Sequence, residues 1–207
     1  MINEDISSIH LSNAVSEFHK LPGIGSKTAL RLVLHVLNQS ENDVKQFSDA
    51  LLQLKSKVKF CQTCNNISDT DICSVCNSNS RSKNLICIVE SIKDVMAIEK
   101  TSQYKGVYHV LGGIISPLDG VGPSDLAIDM LIKRVSDFEN AELIFALPAT
   151  MEGDTTCYYI HKKIENNAIN FTTLSRGISI GDEIEYADEL TLGRSIVNRT
   201  VFEPNLR

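Results

Sequence analysis

The amino-acid sequence predicts an α/β protein made of four consecutive parts. Apolar residues recur at helical spacing in the first third of the chain, whereas short continuous apolar runs alternate with helical patterns from Asn84 onwards. Two closely spaced Cys-x-x-Cys pairs lie between these regions. We therefore expect a helical arm (1–60), a four-cysteine knot (61–80), a parallel α/β domain (81–174) and a C-terminal extension (175–207).

The composition excludes several classes of protein. A net charge of -6 and a pI near 5.4 argue against a uniformly basic nucleic-acid protein, although they leave room for a local basic patch. The polar, acidic start Met1-Ile-Asn-Glu-Asp is not typical of a secretory signal, and no apolar run is long enough to cross a bilayer. The cysteine pattern suits a reducing compartment, so we expect a cytoplasmic protein without membrane contact.

The four-cysteine knot is the strongest local signal. Cys61-Gln-Thr-Cys64 and Cys73-Ser-Val-Cys76 are separated by eight residues rich in turn formers, a spacing that brings four thiolates to one tetrahedral Zn²⁺. Four sulfur ligands leave no open coordination position, so this zinc ion would be structural. Free thiols or two disulfides are the alternatives. Cys87 lies in a predicted apolar strand and Cys157 in a predicted helix, and we expect both to be buried without a chemical role.

A hairpin between two helices in the arm predicts a phosphate contact. The first helix carries Ile6, Ile9, Val15 and Phe18 and ends at Lys20, and the second begins beyond the segment Leu21-Pro-Gly-Ile-Gly-Ser-Lys-Thr-Ala29. The glycines of such a helix-hairpin-helix leave the backbone open, and the N-terminus of the second helix attracts anions. These contacts grip the nucleic-acid backbone without reading sequence. The predicted DNA-binding residues are Lys20, Gly23, Gly25, Lys27 and Arg31.

Other interpretations of the arm are weaker or remain open. A nucleotide P-loop is rejected, because Ser26 stands where glycine is needed before Lys27 and a helix, not a strand, precedes the motif. A plain helical hairpin remains possible. A third helix carries an apolar seam at Val44, Phe47, Leu51, Leu54 and Val58. The helix dipole explains the lysines near its C-terminus, and a DNA contact is the less favoured explanation for Lys55, Lys57 and Lys59.

The α/β domain follows from alternating strand and helix patterns. Ser124 is the expected cap of the second of these helices, and the third is expected to begin at Thr155. A parallel sheet covered on both faces is the predicted arrangement. The expected strands are 85–89, 107–111, 143–147 and 169–174, and the helices are 92–98, 126–135 and 155–164.

Carboxylates follow the strands of this sheet and form what we call the acidic edge: Glu90, Asp94, Glu152 and Asp154. In parallel sheets such turns meet at the carboxyl edge. A glutamate after the first strand and an acidic pair after the third resemble a Toprim domain, whose catalytic members hold Mg²⁺ with the pair. Catalytic Toprim domains place Asp-x-Asp at the end of the third strand, where this chain has Ala146-Leu147-Pro148. We therefore favour an acidic partner surface and keep a magnesium site as the alternative.

Two further segments have predicted surface roles. The loop 116–125 is rich in turn residues and long for a bare connection, so we expect it to act at the same edge. The acidic tail 183–201 carries apolar residues that are expected to dock on the sheet or on a neighbouring subunit. The five histidines show no metal-binding spacing.

Taken together, these segments resemble the RecR family of bacterial recombination mediators over nearly the whole chain. The hairpin and the four cysteines carry the resemblance, together with Ile88-Val-Glu-Ser91, Ser116-Pro-Leu-Asp-Gly-Val-Gly-Pro123, Glu152-Gly153 and Glu185-Tyr-Ala-Asp-Glu-Leu-Thr-Leu192. The departures are Leu147-Pro148-Ala149, where the family usually has Thr-Asn-Pro, and Asp182, where a second glycine is usual.

The resemblance implies a protein that is not an enzyme. Members form ring-like tetramers that clamp DNA, act with RecO or RecF, and help RecA replace single-strand-binding protein. Lys27 and Arg31 match the DNA-contacting positions of the family, whereas Glu90, Asp94 and Glu152 match positions implicated in partner binding, with Asp154 beside them. A Mg²⁺-dependent Toprim nuclease or primase is the alternative function, and a zinc-built interaction module without a DNA role is a third.

Overall fold

The computed structural model describes residues 8–136, 138–164 and 168–201, and the chain divides into two compact units. The first unit, Met1–Val58, is the helical arm, and the second, Lys59–Arg207, contains the four-cysteine knot, the α/β domain and the C-terminal extension. Ile6, predicted to lie in the first helix, falls outside the described residues.

Three helices form the arm: α1 (Ile9–His19), α2 (Ser26–Leu37) and α3 (Glu41–Lys57). Helices α1 and α3 begin at serine caps, Ser8 and Ser40, whose side chains accept backbone N–H groups. The apolar faces of α1 and α2 meet in a small core around Val15, Ala29 and Val33. Helix α3 contributes no buried residue, although its predicted apolar seam is present.

The second unit begins with the four-cysteine knot. Strands β1 (Lys59–Phe60) and β2 (Ile67–Ser68) pair in antiparallel fashion, and a single helical turn, α4 (Ser74–Asn77), follows the second cysteine pair. The knot is tied to the sheet through Val75, which packs against the apolar clusters on both faces of the α/β domain.

The predicted parallel sheet is confirmed. Its strands lie in the order β4-β3-β5-β6, and all neighbours in the described sheet are parallel. Alternate residues of β3 enter opposite cores, with Ile86 and Ile88 on one face and Cys87 and Val89 on the other. The elements of this domain are β3 (Ser82–Val89), α5 (Ile92–Lys100), β4 (Gly106–Val110), α6 (Ile128–Val135), β5 (Ala141–Ala146), α7 (Met151–Lys163) and β6 (Ile169–Thr173).

The C-terminal extension follows β6 and ends in helix α8 (Glu189–Val197), which Asp188 caps by accepting the N–H of Thr191. No residue of α8 is buried. Within the described residues, no helix combines the length and apolar character that a membrane span requires.

Three local predictions were wrong. Helix α2 begins at Ser26 and not beyond Ala29, because Gly25 already has the extended backbone of an N-cap. Ser124 does not cap a helix, because it lies inside a short 3₁₀ turn (Pro123–Asp125) in which the Asp125 carboxylate accepts the N–H of Gly122, and α6 begins later, at Ile128. Helix α7 begins at Met151 and not at Thr155, because Thr150 caps it by accepting the N–H of Gly153. Glu152 and Asp154 therefore lie in the first helical turn and not in a loop.

Candidate metal centre and nucleic-acid interface

The four cysteines of the knot meet at one point. The Sγ atoms of Cys61, Cys64, Cys73 and Cys76 all lie within 4.8 Å of one another, and the first three residues are buried. Backbone N–H groups support the sulfurs, since the N–H of Cys73 donates to Cys61 Sγ at 3.3 Å and that of Cys76 donates to Cys73 Sγ at 3.4 Å. Four converging thiols of this kind fit a tetrahedral zinc ion.

The electrostatics divide the quartet into two pairs, because the pKa is lowered for Cys61 and Cys76 and raised for Cys64 and Cys73. A hydrogen bond with Cys64 and the nearby positive charge of Arg134 outweigh the effect of burial and lower the pKa of the Cys76 thiol to about 6. The same hydrogen bond raises the pKa of Cys64, and burial raises it as well. Zinc binding would displace the thiol protons that remain, because zinc binds cysteine as the thiolate.

Backbone geometry fixes the first cysteine pair in place. Asn65 adopts the left-handed conformation (φ 59°), its N–H donates to the carbonyl of Cys61 at 2.9 Å, and its side-chain amide donates to the carbonyl of Val110 at 3.0 Å. The carbonyl of Cys64 accepts the N–H of Val110 at 2.8 Å. The knot is thereby hydrogen-bonded to the end of β4. Sequence reasoning identified Asn65 as a turn former but missed this anchoring contact.

The predicted hairpin is present in the arm. Gly23 has a φ of +78°, which side-chain-bearing residues rarely adopt, and the chain then enters α2 at Gly25. As the N-cap of α2, Gly25 offers no side-chain acceptor to the free N–H groups of the first turn. The N-terminus of α2 is therefore open to an external anion.

The basic residues predicted at the hairpin differ in their surroundings. Lys27 and Arg31 are exposed, and neither forms an ion pair within the described residues. Lys20 is different, because its ammonium group lies 2.6 Å from the carboxylate of Glu17, one helical turn earlier. The i, i+3 spacing of this pair could have been read from the sequence.

The residues predicted for the acidic edge also fall into two groups. Asp94 closes a capping box at the start of α5. Its carboxylate accepts hydrogen bonds from the backbone N–H of Ser91 at 2.7 Å and from the Ser91 hydroxyl at 2.9 Å. Asp154 pairs with Arg176, with Nη2 2.7 Å from Oδ1, and these hydrogen bonds lower the pKa of the Asp154 carboxyl. Glu90 and Glu152 have no side-chain partner among the described residues.

The topology brings Glu90 and Glu152 to the same edge, since β3 and β5 are parallel neighbours and each residue follows one of them. The four carboxylates nevertheless do not form a metal-binding group like that of the cysteines. Among the described residues, the cysteine quartet is the one cluster of three or more such side chains close enough to share an ion.

Comparison with known proteins identifies the family. The chain is 56% identical over 201 residues to the protein named Recombination protein RecR from Bacteroides thetaiotaomicron, an alignment that covers 97% of this chain and 98% of that protein. It is 54% identical to the protein of the same name from Flavobacterium johnsoniae, with 98% of both chains covered. The chain belongs to the RecR family.

Matches to RecR domains follow the same order along the chain. The RecR helix-hairpin-helix matches residues 11–55, the four-cysteine zinc finger domain of RecR 58–78, a Toprim domain 84–175 and the RecR C-terminal segment 177–200. The zinc-finger match and the clustered sulfurs agree, so the knot of this RecR-family chain is a site for one structural zinc ion. The parallel sheet β4-β3-β5-β6 is the sheet of its Toprim domain.

Proposed function

We propose that this RecR-family chain is a DNA-binding recombination mediator and not an enzyme. It acts as a zinc-containing, ring-like clamp that works with RecO or RecF to help load RecA on gapped or single-stranded DNA covered by single-strand-binding protein. The names of its relatives as recombination proteins support this role. Its place of action is the cytoplasm, where a reducing environment keeps cysteine thiols available to zinc.

The observation that carries the proposal is the open N-terminus of α2. Gly25 leaves the first N–H groups without a side-chain cap, and the same helix carries Lys27 and Arg31, which form no ion pair within the part of the chain that the structure describes. A phosphate of the DNA backbone would accept these N–H groups and neutralise the cations. Such contacts are independent of base sequence, as a mediator that acts at any gap requires.

Assembly into a homotetramer is supported by helix α3. The seam residues Phe47, Leu51 and Leu54 are 48%, 52% and 60% exposed, and no residue of this 17-residue helix is buried. An isolated helix of this length is only marginally stable in water, so its apolar seam needs a partner. A second copy of the chain offers the same seam, spaced by three and four residues as in paired helices.

The partner surface of the proposal lies on the Toprim domain. Glu90 and Glu152 have carboxylates without partners among the described residues, and they follow neighbouring strands of the sheet. We assign them the central contacts with a basic surface of RecO, with Asp94 and Asp154 at the margin because each has an internal partner. Because of the same internal contacts, fewer carboxylates are available to bind Mg²⁺, as the alternative of a Mg²⁺-dependent nuclease or primase requires.

DNA binding is tested by anisotropy of a labelled oligonucleotide over a salt series. We expect Lys27→Ala and Arg31→Ala each to weaken binding and to lower the salt slope by about one. Lys45→Ala is the matched control, since Lys45 is exposed on α3 of the same unit. Affinity that is independent of salt, or unchanged in both hairpin variants, would contradict the proposal.

Catalysis and partner binding are tested on the same preparation. Incubation of DNA with Mg²⁺ is expected to give neither cleavage nor primer synthesis, and turnover that Glu90→Ala abolishes would establish the alternative. Glu90→Gln and Glu152→Gln, which remove charge and little volume, are expected to weaken RecO binding about tenfold. Glu139→Gln serves as control because Glu139 lies before β5, at the opposite end of the sheet.

Assembly is tested by light scattering after gel filtration. Leu51→Glu places a charge in the apolar seam of α3 and is expected to reduce the oligomer to smaller species. Leu52→Glu is the control, because Leu52 lies outside the seam although it is 65% exposed. An unchanged mass for Leu51→Glu would remove α3 from the assembly interface.

A further inference from the structure

A cavity of about 760 Å³ lies in the second unit, where the C-terminal extension returns to the sheet. Its wall combines the ends of β5 and β6 with side chains of α7 and α8. Its polar lining includes two guanidinium groups, three hydroxyl groups and an amide: Arg176, Arg194, Thr173, Ser175, Thr200 and Asn198. The lining includes Asp154 of the acidic edge, but it includes no hairpin residue, no zinc ligand and neither Glu90 nor Glu152.

The charge of the cavity is positive although the chain carries a net charge of -6. Arg176 is held by the carboxylate of Asp154 through contacts of 2.7 Å and 3.4 Å, so these two charges cancel. Arg194 also lines the wall and is half-buried, and it has no side-chain acceptor within the described residues. One positive charge therefore remains uncompensated beside the cavity, a setting that favours an anionic ligand.

The lining also indicates the chemical class of the anion. A guanidinium presents paired N–H donors that match two oxygens of a phosphate, and hydroxyl groups complete such a site. The volume is in the range of pockets that hold whole small molecules, and Leu174 and Phe145 add apolar lining. Phosphate together with an apolar, hydrogen-bonding body describes a nucleotide.

We propose that this cavity binds the terminal phosphate of a nucleotide, with Arg194 as the main phosphate contact and Arg176 held beside it by Asp154. The nucleotide is either free or the 5′-phosphorylated end of a DNA strand. Both sources present a terminal phosphate group to the guanidinium groups. The proposal is independent of DNA binding at the hairpin.

The test uses the full-length protein with zinc bound and two probes. The first is ADP in a calorimetric titration, and the second is a labelled single-stranded oligonucleotide with or without a 5′-phosphate. The oligonucleotide is measured in the Lys27→Ala/Arg31→Ala background, which reduces binding at the hairpin. Arg194→Gln is compared with Arg199→Gln, whose side chain donates to the carbonyl of Ile196 outside the cavity wall.

We expect Arg194→Gln to lower the affinity for the probe that binds by about tenfold, and we expect Arg199→Gln to leave that affinity unchanged. A response to ADP identifies a free nucleotide, whereas a preference for the 5′-phosphorylated oligonucleotide identifies a strand end. The proposal is overturned if neither probe binds, or if Arg194→Gln binds as the parent does. Thermal melting tests whether each variant is folded. If Arg194→Gln is not folded, Arg176→Lys is the second variant: it keeps the charge but loses the paired N–H donors, so we expect weaker binding of the responding probe, and unchanged binding would overturn the proposal.

Discussion

The backbone N–H of Val110, the last residue of β4, donates a 2.8 Å hydrogen bond to the carbonyl oxygen of Cys64, a zinc ligand. The Asn65 side chain returns a second hydrogen bond to the carbonyl of Val110. Strand β4 is at the edge of the described sheet, where unpaired backbone groups would otherwise face solvent. The zinc-binding knot thus completes the hydrogen bonding at one end of this strand.

Loss of zinc should therefore destabilise the Toprim domain as well as the knot. We expect Cys64→Ser to lose the metal and to lower the free energy of unfolding by more than about 3 kcal/mol. Cys61→Ser should behave similarly, with DNA binding reduced only as a consequence. Zinc content and chemical denaturation measure both effects, and Cys157→Ser, outside the quartet, is the control. A folded Cys61→Ser protein with a selective loss of DNA affinity would contradict this.

A serine at position 25 should stabilise the arm and weaken its grip on DNA. Gly25 has a φ of -78°, and an added Cβ would meet no atom within 4 Å, so the substitution fits the backbone. The new hydroxyl would accept an N–H of α2 that we assign to phosphate, with a gain of a few tenths of a kcal/mol. Gly25→Ser should show a higher melting temperature and an affinity lower by about threefold or more. Equal DNA affinity would show that these N–H groups do not bind phosphate.

Acid should destabilise the fold through His109. This side chain is fully buried, its Nε2 donates to the carbonyl of Ala127 at 2.8 Å, and its Nδ1 has no partner among the described residues. Burial lowers the pKa of His109 to about 4, so the folded protein stays neutral there while the unfolded chain takes up a proton below about pH 6.5. Stability is therefore lost as the pH falls from 6.5 towards 4, by about 2 kcal/mol at pH 5.

Urea denaturation at pH 7.5 and pH 5 measures this loss. Protonation of the zinc ligands adds to the effect of acid, so the informative quantity is the difference between the parent protein and His109→Gln. We expect the parent to lose about 2 kcal/mol more than the variant over this interval. The same loss in both proteins would exclude His109 as the source.

Gly153 should be intolerant of a side chain although it lies in a helix. An added Cβ would collide with the carbonyl oxygen of Pro148, which approaches the first turn of α7. We expect Gly153→Ala to destabilise the protein by about 1–3 kcal/mol, because the backbone before α7 must move. Gly193→Ala, in the open helix α8, should be neutral or slightly stabilising in the same thermal melts. A destabilising Gly193→Ala would show that α8 is packed in solution.

The sequence predicted what depends on local pattern. Continuous apolar runs located the four parallel strands to within a few residues, and the cysteine spacing identified the metal ligands. The start of α7 was misplaced because Glu152-Gly-Asp154 was interpreted as a loop, although Thr150 before it is a good N-cap. The capping box between Ser91 and Asp94 was not predicted, although a serine three residues before an acidic residue is a known pattern of helix starts.

Contacts between distant residues were beyond sequence reasoning. Asp154 and Arg176 are 22 positions apart, and their pairing depends on how the extension returns from β6. The same holds for Asn65 and Val110, which are 45 positions apart. Neither pair has a periodicity that a single sequence would reveal, since each arises from tertiary packing.

If copies of the chain pair through the exposed seam of α3, self-association and DNA binding become linked, although the two equilibria are usually measured separately. If α3 is ordered fully only when it is paired with another copy, dilution shifts the population towards arms with a frayed third helix. The apparent affinity for DNA would then rise with protein concentration, whereas hairpins that bind DNA independently of assembly would keep a constant affinity. In a cell, the abundance of the chain would itself set how firmly each hairpin holds a strand.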